Sequence, residues 1–166
     1  VDGFETDGPV VDITQTAVKG YEFVRTINGC DGVSMPNNRV RNLLAGFIAS
    51  KAFGDPDSMR TRNVNIGNLF VEHAWYGVNL QHSGDNCRIE NLRTDTIHRS
   101  LFIYGVKHLH ANIVSKDPWS WDVNMSSFSG STLEHIRINY VRGTDTQNAG
   151  DADQIMLMAA DAVAGV

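Results

Sequence analysis

The chain has 166 residues, of which 42% are hydrophobic and 20% are charged, and its formal net charge is -5 at pH 7. The length is typical of one domain, here residues 1–166, and the composition excludes a disordered or low-complexity chain. Because the charge is negative and no apolar run approaches the roughly 20 residues that cross a bilayer, we expect neither nucleic-acid binding nor membrane insertion.

Short stretches of alternating apolar residues recur in the N-terminal part of the chain. Val11 and Ile13 are followed 22 positions later by Val33 and Met35 in the same phase. The next segment, residues 40–53 (VRNLLAGFIASKAF), is the one stretch with the composition of a helix. Its phase within the repeat and its internal glycine favour a strand with an enlarged turn instead.

The repeat is clearest after residue 63, where three segments align: NVNIGNLFVEHAWYGVNL, CRIENLRTDTIHRSLFI and HANIVSKDPWSWDVNM. Each segment opens with one alternating stretch and closes with another. In the closing stretches Val78, Leu101 and Val123 follow one another at 23 and 22 positions, and Ile155 repeats the pattern after an insertion. The other register gives a second series at 22, 24 and 23 positions, namely Val18, Val40, Val64 and Cys87.

Alternation of period two inside a period near 23 indicates short strands that return to the same place on every turn of a coil. We therefore predict an all-β fold, a parallel β-helix of about six to seven rungs with 22–24 residues each. Asn68 and Asn91, 23 positions apart, should stack at a corner of this coil. One inward stack should contain Val33, Val78, Leu101, Val123 and Ile155.

Both ends of the chain lie in mid-pattern, at VDGFETDGPVVDIT and at AADAVAGV, without an amphipathic cap. A solenoid needs caps that cover the core and the strand edges of its terminal rungs. We therefore expect the sequence to be an uncapped slice of a longer protein. Part of any functional site is then expected to lie outside it.

The segment 97–123, IHRSLFIYGVKHLHANIVSKDPWSWDV, resembles the pectate-lyase-like, right-handed parallel β-helix superfamily of polysaccharide-degrading enzymes and phage tailspike depolymerases. The resemblance is one of rung pattern and extends over residues 10–158. It implies a right-handed coil and carbohydrate as the ligand. The catalytic motifs of the subfamilies are not reproduced, and GDADQI at 150–155 is the segment most similar to one of them. The resemblance therefore leaves the reaction open.

The strands that contain Val78, Leu101 and Val123 also supply the predicted ligand surface, because the neighbours of an inward residue face outward on a strand. Aromatic rings stack on sugar rings, and amides and carboxylates bind sugar hydroxyls. A solvated sheet face without a ligand is the alternative. The outward columns are Gly77, Ser100, Asp122 and Gln154, then Asn79, Phe102 and Asn124, and then Gln81, Tyr104 and Ser126.

The turn before these strands is densest in reactive groups. Asp95 and Asp117, 22 positions apart, should stack on adjacent rungs at about 4.8 Å. Two carboxylates so close raise one another's pKa, so that one serves as an acid while the other serves as a base or nucleophile. The alternative for both residues is a structural role at the corner. The same turns contain Arg93, His98, Arg99, Lys116, Trp119 and Trp121.

The predicted catalytic residues are drawn from four carboxylates, Asp95, Asp117, Asp122 and Asp153. The predicted substrate-binding residues are His98, Arg99, Tyr104, Lys116, Trp119, Trp121, Asn124 and Gln154. No cofactor or resident metal is predicted. The insertion at 142–153, RGTDTQNAGDAD, has the oxygen-rich composition of a calcium loop, and a loop at the substrate edge is an equal alternative.

Two classes of function fit this surface. The first is an enzyme that degrades a polysaccharide, by hydrolysis with paired carboxylates in preference to β-elimination with Lys116, Arg99 or His98 as the base. The second is a noncatalytic fibre, adhesin or carbohydrate-binding stalk, for example of a virion. Both imply a polysaccharide partner, an extracellular, secreted or virion-surface location, and a monomer or homotrimer.

Overall fold

The computed structural model describes residues 3–7, 22–27, 29–52, 54–118, 122–127, 132–142 and 155–159. Within these ranges the chain forms β-strands and one 3-10 turn at Asp57–Met59, and no helix is long and apolar enough to cross a membrane. The strands are β1 Phe4–Asp7, β2 Glu22–Ile27, β3 Asp31–Arg41, β4 Ala45–Ser50, β5 Arg62–Gln81, β6 Asp85–Tyr104, β7 Lys107–Pro118, β8 Val123–Ser127, β9 Glu134–Arg142 and β10 Ile155–Ala159.

The strands wind into a right-handed parallel β-helix of about five turns, which confirms the predicted fold. All pairings between the described strands are parallel, and the long strands β5 and β6 bend to contribute to every face of the coil. Three sheets result. Sheet A contains residues 31–35, 62–66, 85–89, 107–111 and 134–138; sheet B contains 4–7, 37–41, 68–72, 91–95, 113–116 and 139–142; sheet C contains 22–27, 45–50, 76–81, 99–104, 123–127 and 155–159.

The number of turns is smaller than predicted because several turns are longer than the sequence repeat, including those from Phe4 to Asn38, of 34 residues, and from Val123 to Ile155, of 32 residues. Asp31 also pairs with Arg62, and Lys107 pairs with Glu134, so these two turns contain 31 and 27 residues. The first of them includes the loop 51–61, which contains the 3-10 turn. Insertions of this kind lie between strands and leave the sheets in register.

The core lies inside the coil and consists of columns of residues that pair across successive strands. Phe47, Val78, Leu101 and Val123 form one such column in sheet C, and all four are fully buried. The backbone of Ile155 continues its register. The predicted column is therefore confirmed for Val78, Leu101 and Val123, and the predicted register is confirmed for Ile155.

Two assignments within the repeat are wrong. Val33 pairs with Val64 in sheet A and does not join the column of Leu101. Val40 pairs with Val71 in sheet B, although its spacing placed it with Val64. Apolar alternation is the same in all three sheets, so spacing no longer distinguishes the sheets once one turn has an unusual length.

Residues 45–50 form strand β4, as predicted, in place of a helix. Gly46 is required in this strand because the column beside it is closely packed. A Cβ at this position would lie 2.9 Å from the carbonyl oxygen of Gly77 and 2.8 Å from Cγ2 of Val71. The glycine that argued against a helix therefore also permits two rungs to approach one another.

Asparagine side chains hold the rungs together where sheet A meets sheet B. The Asn68 amide donates a hydrogen bond to Asn37 at 2.8 Å, and the Asn91 amide donates one to Asn68 at 3.0 Å. The predicted stacking of Asn68 and Asn91 is confirmed. We call these three residues the asparagine ladder.

A column with left-handed backbone lies near the start of the sheet A strands. Its members have φ between +51° and +78°, a region in which glycine and asparagine are favoured. The side chains also stack: the Asn86 amide donates to Asn63 at 2.5 Å, and two imidazole rings lie 4.7 Å apart. The corner is thus fixed by backbone preference and by side-chain contacts. The column consists of Gly32, Asn63, Asn86, His108 and His135.

A buried ion pair fastens the loop 51–61 to the turns that follow it. The Arg60 guanidinium donates to both carboxylate oxygens of Asp85 and, at 2.8 Å, to the carbonyl oxygen of Gly105. Asp85 also accepts a hydrogen bond from the backbone N–H of Lys107 at 3.0 Å. Burial disfavours the Arg60 charge, but the hydrogen bonds and charge of Asp85 outweigh it and raise the pKa of Arg60. We call this pair the Arg60–Asp85 clamp.

Candidate functional site

The interior of the coil is polar at the corner between sheets B and C. The buried carboxylate of Asp122 accepts hydrogen bonds from the hydroxyls of Ser100 at 3.3 Å, Ser115 and Tyr140. The hydroxyls of Thr94 and Ser100, both buried, lie 2.6 Å apart. We call these five residues the hydroxyl cluster. Its hydrogen bonds to the Asp122 carboxylate offset the free-energy cost of burying that group away from water.

This cluster corrects the prediction that Asp122 and Ser100 face outward. Gly77 precedes them in the same column, and a Cβ on Gly77 would lie 3.1 Å from Cγ2 of the buried Thr94. Gly77 and the neighbouring Val78 therefore both face the interior, because strict alternation fails where the strand turns the corner. The Asp122 carboxylate has no exposed surface with which to contact a polymer outside the coil.

The outward column of Asn124 is also more covered than predicted. Asn124 is 2% exposed and accepts a hydrogen bond from Ser126 at 2.9 Å. Asn79, two rungs away in the same column, is 3% exposed. Of Asn79, Phe102 and Asn124, Phe102 alone keeps a partly exposed side chain. A ligand on sheet C therefore meets Phe102 before either amide.

Asp95 lies opposite Lys116 and not opposite Asp117. A register shift between Ile89 and Leu92 reduces the spacing at this corner from 22 residues to 21. The Lys116 ammonium donates to the Asp95 carboxylate at 2.9 Å. The predicted stacking of Asp95 on Asp117 is therefore wrong, and the side chain of Asp117 lies outside the described residues.

Asp95 belongs to a row of charged residues along the outer face of sheet B. Arg41, Glu72, Asp95 and Lys116 pair in register on successive strands. Arg41 donates to Glu72 at 2.6 Å, and this hydrogen bond and charge lower the pKa of Glu72. Each carboxylate thus has its own cation. The two carboxylates nevertheless occupy adjacent rungs.

An aromatic surface lies beside this row, on the outer face of sheet C. The guanidinium carbon of Arg99 lies 5.8 Å from the ring centroid of Tyr76 and 5.5 Å from that of Phe102. The two rings are 5.8 Å apart, and Arg99 donates to the Tyr76 hydroxyl at 3.3 Å. All three side chains are partly exposed. We call them the aromatic–arginine patch.

His98 adjoins this patch through Trp75. The two rings are stacked, with centroids 3.7 Å apart and planes at 8°, and Trp75 meets the Tyr76 ring edge-on at 6.3 Å. Among the described residues no hydrogen-bond partner reaches the buried Nδ1 of His98. Burial, and to a smaller extent the charge of Arg99, lowers the pKa of His98 to about 4. His98 is therefore neutral at physiological pH.

We predict that His98 makes the protein less stable in mild acid. The imidazole binds a proton at about pH 6.5 in an unfolded chain, but its pKa in the folded protein is about 4. Between these values the unfolded state binds more protons, so stability falls as the pH is lowered from about 6.5 toward 4. His98→Phe should flatten this part of the pH profile in urea unfolding. His110→Phe, at a partly exposed position outside the left-handed column, is the control, and equal profiles for His98→Phe and the parent would contradict the prediction.

Tyr104 lies at the end of β6, two residues beyond Phe102 of the patch. Its ring contacts His82, with centroids 4.1 Å apart. Burial, together with the charges of Lys51 and Arg60, lowers the pKa of His82. Tyr104 and Phe102 alternate on the same face of sheet C and both are partly exposed, so Tyr104 borders the aromatic–arginine patch. The predicted site residues that lie outside the described ranges are Trp119, Trp121, Asp153 and Gln154, together with all but the first residue of the calcium-loop candidate at 142–153. Val11, Ile13 and Val18 of the predicted repeat lie outside these ranges as well.

Sequence reasoning missed Trp75 and Tyr76. A signal was present, because Trp75 and Tyr76 each stand 23 positions, one rung, before His98 and Arg99. A search for carboxylates at the rung spacing does not find these aromatic residues. A search for aromatic residues at the rung spacing of a cationic or imidazole side chain does find them.

Comparisons of the chain with protein-family models, with curated proteins and with solved structures found no match. Within the described part of the chain, no three His, Cys, Asp or Glu side chains converge as metal ligands would. The structure defines the chain as a parallel β-solenoid, and a function is inferred from the surfaces of that solenoid.

Proposed function

We propose that this protein binds an extended polysaccharide across the outer face of sheet C. The observation that carries the proposal is the aromatic–arginine patch. The rings of Tyr76 and Phe102 offer apolar faces to the C–H groups of a pyranose, and the Arg99 guanidinium between them donates hydrogen bonds to sugar oxygens. Stacking on two rings holds the guanidinium in place before the ligand arrives, which reduces the entropy lost on binding.

The geometry of the coil supports a polymer as the ligand. Successive rungs lie about 4.8 Å apart and present the same strand face on every turn, which suits a chain of repeating units. The proposal includes kinship with pectate-lyase-like β-helices, on the rung pattern alone. It also places the protein outside the cell, secreted or on a virion, as a monomer or homotrimer.

We predict that Phe102→Ala weakens polysaccharide binding about tenfold, because it removes one stacking surface. Arg99→Gln should weaken binding by a similar factor. A glycan array identifies the best neutral or charged oligosaccharide for the parent, and isothermal titration measures the variants. Arg88→Gln, at an exposed position on sheet A, is the matched control and should bind as the parent does. Unchanged affinity in both patch variants, or no glycan bound by the parent, would contradict the proposal.

Hydrolysis of the bound polysaccharide is a second candidate function. The observation that favours it is the register of Glu72 opposite Asp95, which places two carboxylates on adjacent rungs beside the patch. Carboxylates at this spacing resemble the pair of a retaining glycosidase, which are about 5 Å apart. The ion pairs with Arg41 and Lys116 oppose this role, since a general acid must hold a proton.

The oligosaccharide that the glycan array identifies also serves as the substrate in a test for catalysis. The parent is incubated with it, and new reducing ends report hydrolysis while ultraviolet absorbance of unsaturated products reports β-elimination. Loss of product in Glu72→Gln and Asp95→Asn, with binding retained, would support catalysis by this pair. Binding without any product would favour the noncatalytic fibre or stalk.

A further inference from the structure

A groove on sheet B takes no part in the function proposed above. Its volume is about 530 Å³, and its lining combines the asparagine ladder with Arg39, Phe70 and Arg93. None of the described residues that line it is acidic. The groove therefore has an aromatic floor, a row of amides and two positive charges.

The cation at one end of the groove is oriented by the aromatic ring. Arg39 and Phe70 pair in register, and the guanidinium carbon of Arg39 lies 4.9 Å from the ring centroid of Phe70. Arg39 also forms long ion pairs, with Glu5 at 3.8 Å and with Glu72 at 3.6 Å, and its side chain is 53% exposed. The guanidinium is thus held in place by the ring and by two long ion pairs, while about half of its side-chain surface stays exposed to a ligand.

The second cation is Arg93, which follows Phe70 in the same column on the next strand. Its guanidinium donates to the Asn91 amide oxygen at 3.4 Å, and within the described part of the chain it has no carboxylate partner. The asparagine ladder adds further donors, since Asn68 and Asn91 each use one amide N–H to bond the rung before. An amide has two such donors.

We propose that this groove binds an acidic oligosaccharide through its carboxylate or sulfate groups. Two exposed guanidiniums on one groove match oxyanions, which they bind with charge-assisted hydrogen bonds. The backbones of Arg39 and Arg93 are two rungs, about 10 Å, apart, so the ligand extends along the coil axis. The amides of the asparagine ladder bind sugar hydroxyls between the charges.

Titration of the full chain with three oligosaccharides tests the proposal: a heparin hexasaccharide with sulfates and carboxylates, a hyaluronan hexasaccharide with carboxylates alone, and neutral maltohexaose. At least one acidic probe should bind more tightly than maltohexaose and lose affinity as salt is added. Arg39→Gln and Arg93→Gln should each weaken that binding about tenfold. A preference between the two acidic probes identifies the anionic group.

Arg25→Gln is the control, and Arg99→Gln reports whether an acidic probe binds at the aromatic–arginine patch. Arg25 matches Arg39 in exposure, at 50% against 53%, but lies on sheet C away from the groove. The Arg25→Gln variant should bind the acidic probe as the parent does. Loss in Arg99→Gln, with full affinity in both groove variants, would assign that probe to the aromatic–arginine patch and overturn the proposal. Equal binding of maltohexaose, equal binding of a single-stranded oligonucleotide, or full affinity in both groove variants would overturn the proposal. Circular dichroism verifies that each variant is folded.

Discussion

Replacing Leu101 with alanine is expected to lower the free energy of unfolding by about 2–5 kcal/mol. The side chain is fully buried between Val78 and Val123 in the interior column of sheet C. Its removal deletes apolar contacts and leaves a cavity, which rungs held in register by backbone hydrogen bonds have little freedom to close. Urea unfolding followed by circular dichroism measures the loss.

Val114→Ala is the matched control for this experiment. Val114 is an apolar strand residue on the outer face of sheet B and is 41% exposed. Its truncation should change the free energy of unfolding by no more than about 0.5 kcal/mol, as is usual for surface positions. Equal losses at Leu101 and Val114 would contradict the assignment of Leu101 to the interior.

Replacing Asp85 with alanine is expected to cost about 3–5 kcal/mol, because it leaves the guanidinium of Arg60 buried without its counter-charge. The two side chains of the Arg60–Asp85 clamp are 7% and 13% exposed. The variant also deprives the backbone N–H of Lys107 of its acceptor. Urea unfolding again measures the effect.

Asp95→Ala provides the comparison, because its partner Lys116 is half exposed. A surface ion pair contributes about 0–1 kcal/mol. The double variant Arg60→Met with Asp85→Leu removes both buried charges and should regain much of the stability lost in Asp85→Ala. If Asp85→Ala costs no more than Asp95→Ala, the clamp is not buried as described.

The sequence revealed the parts of the fold that repeat. Val78, Leu101 and Val123 recur at the rung spacing because every turn must bury an apolar residue at the same place in the core. Asn68 and Asn91 recur for a related reason, since a stacked amide at a corner bonds its equivalent on the next rung. Regular features of this kind leave a periodic pattern in one sequence.

Local departures from the repeat could not be predicted in the same way. The shift between Ile89 and Leu92 changes the strand spacing by one residue, and that is enough to exchange Asp117 for Lys116 opposite Asp95. No residue pattern marks the shift, because it is absorbed at the corner and the spacing returns to 22 afterwards.

The candidate sites depended on such departures. Asp122 was assigned to the surface because alternation was extended through a corner where two successive residues face inward. Arg60 lies in the loop 51–61, which has no equivalent in the neighbouring turns, so its pairing with Asp85 had no periodic signal. The contact of Trp75 with His98 did have one, at 23 positions.

The hydroxyl cluster makes the two halves of the coil unequal. In one interior column of sheet B, Val40 and Val71 are followed by Thr94 and Ser115. Each turn of a solenoid is stabilised mainly by its immediate neighbours. Apolar packing tolerates small displacements of a turn, whereas hydrogen bonds weaken steeply when their geometry is disturbed. Unfolding of the coil should therefore begin at β7 and β9, where hydrogen bonds hold the interior, and proceed toward β5, where apolar packing holds it. For the same reason a copy of the β7 turn could not replace the β5 turn, because its interior side chains are polar.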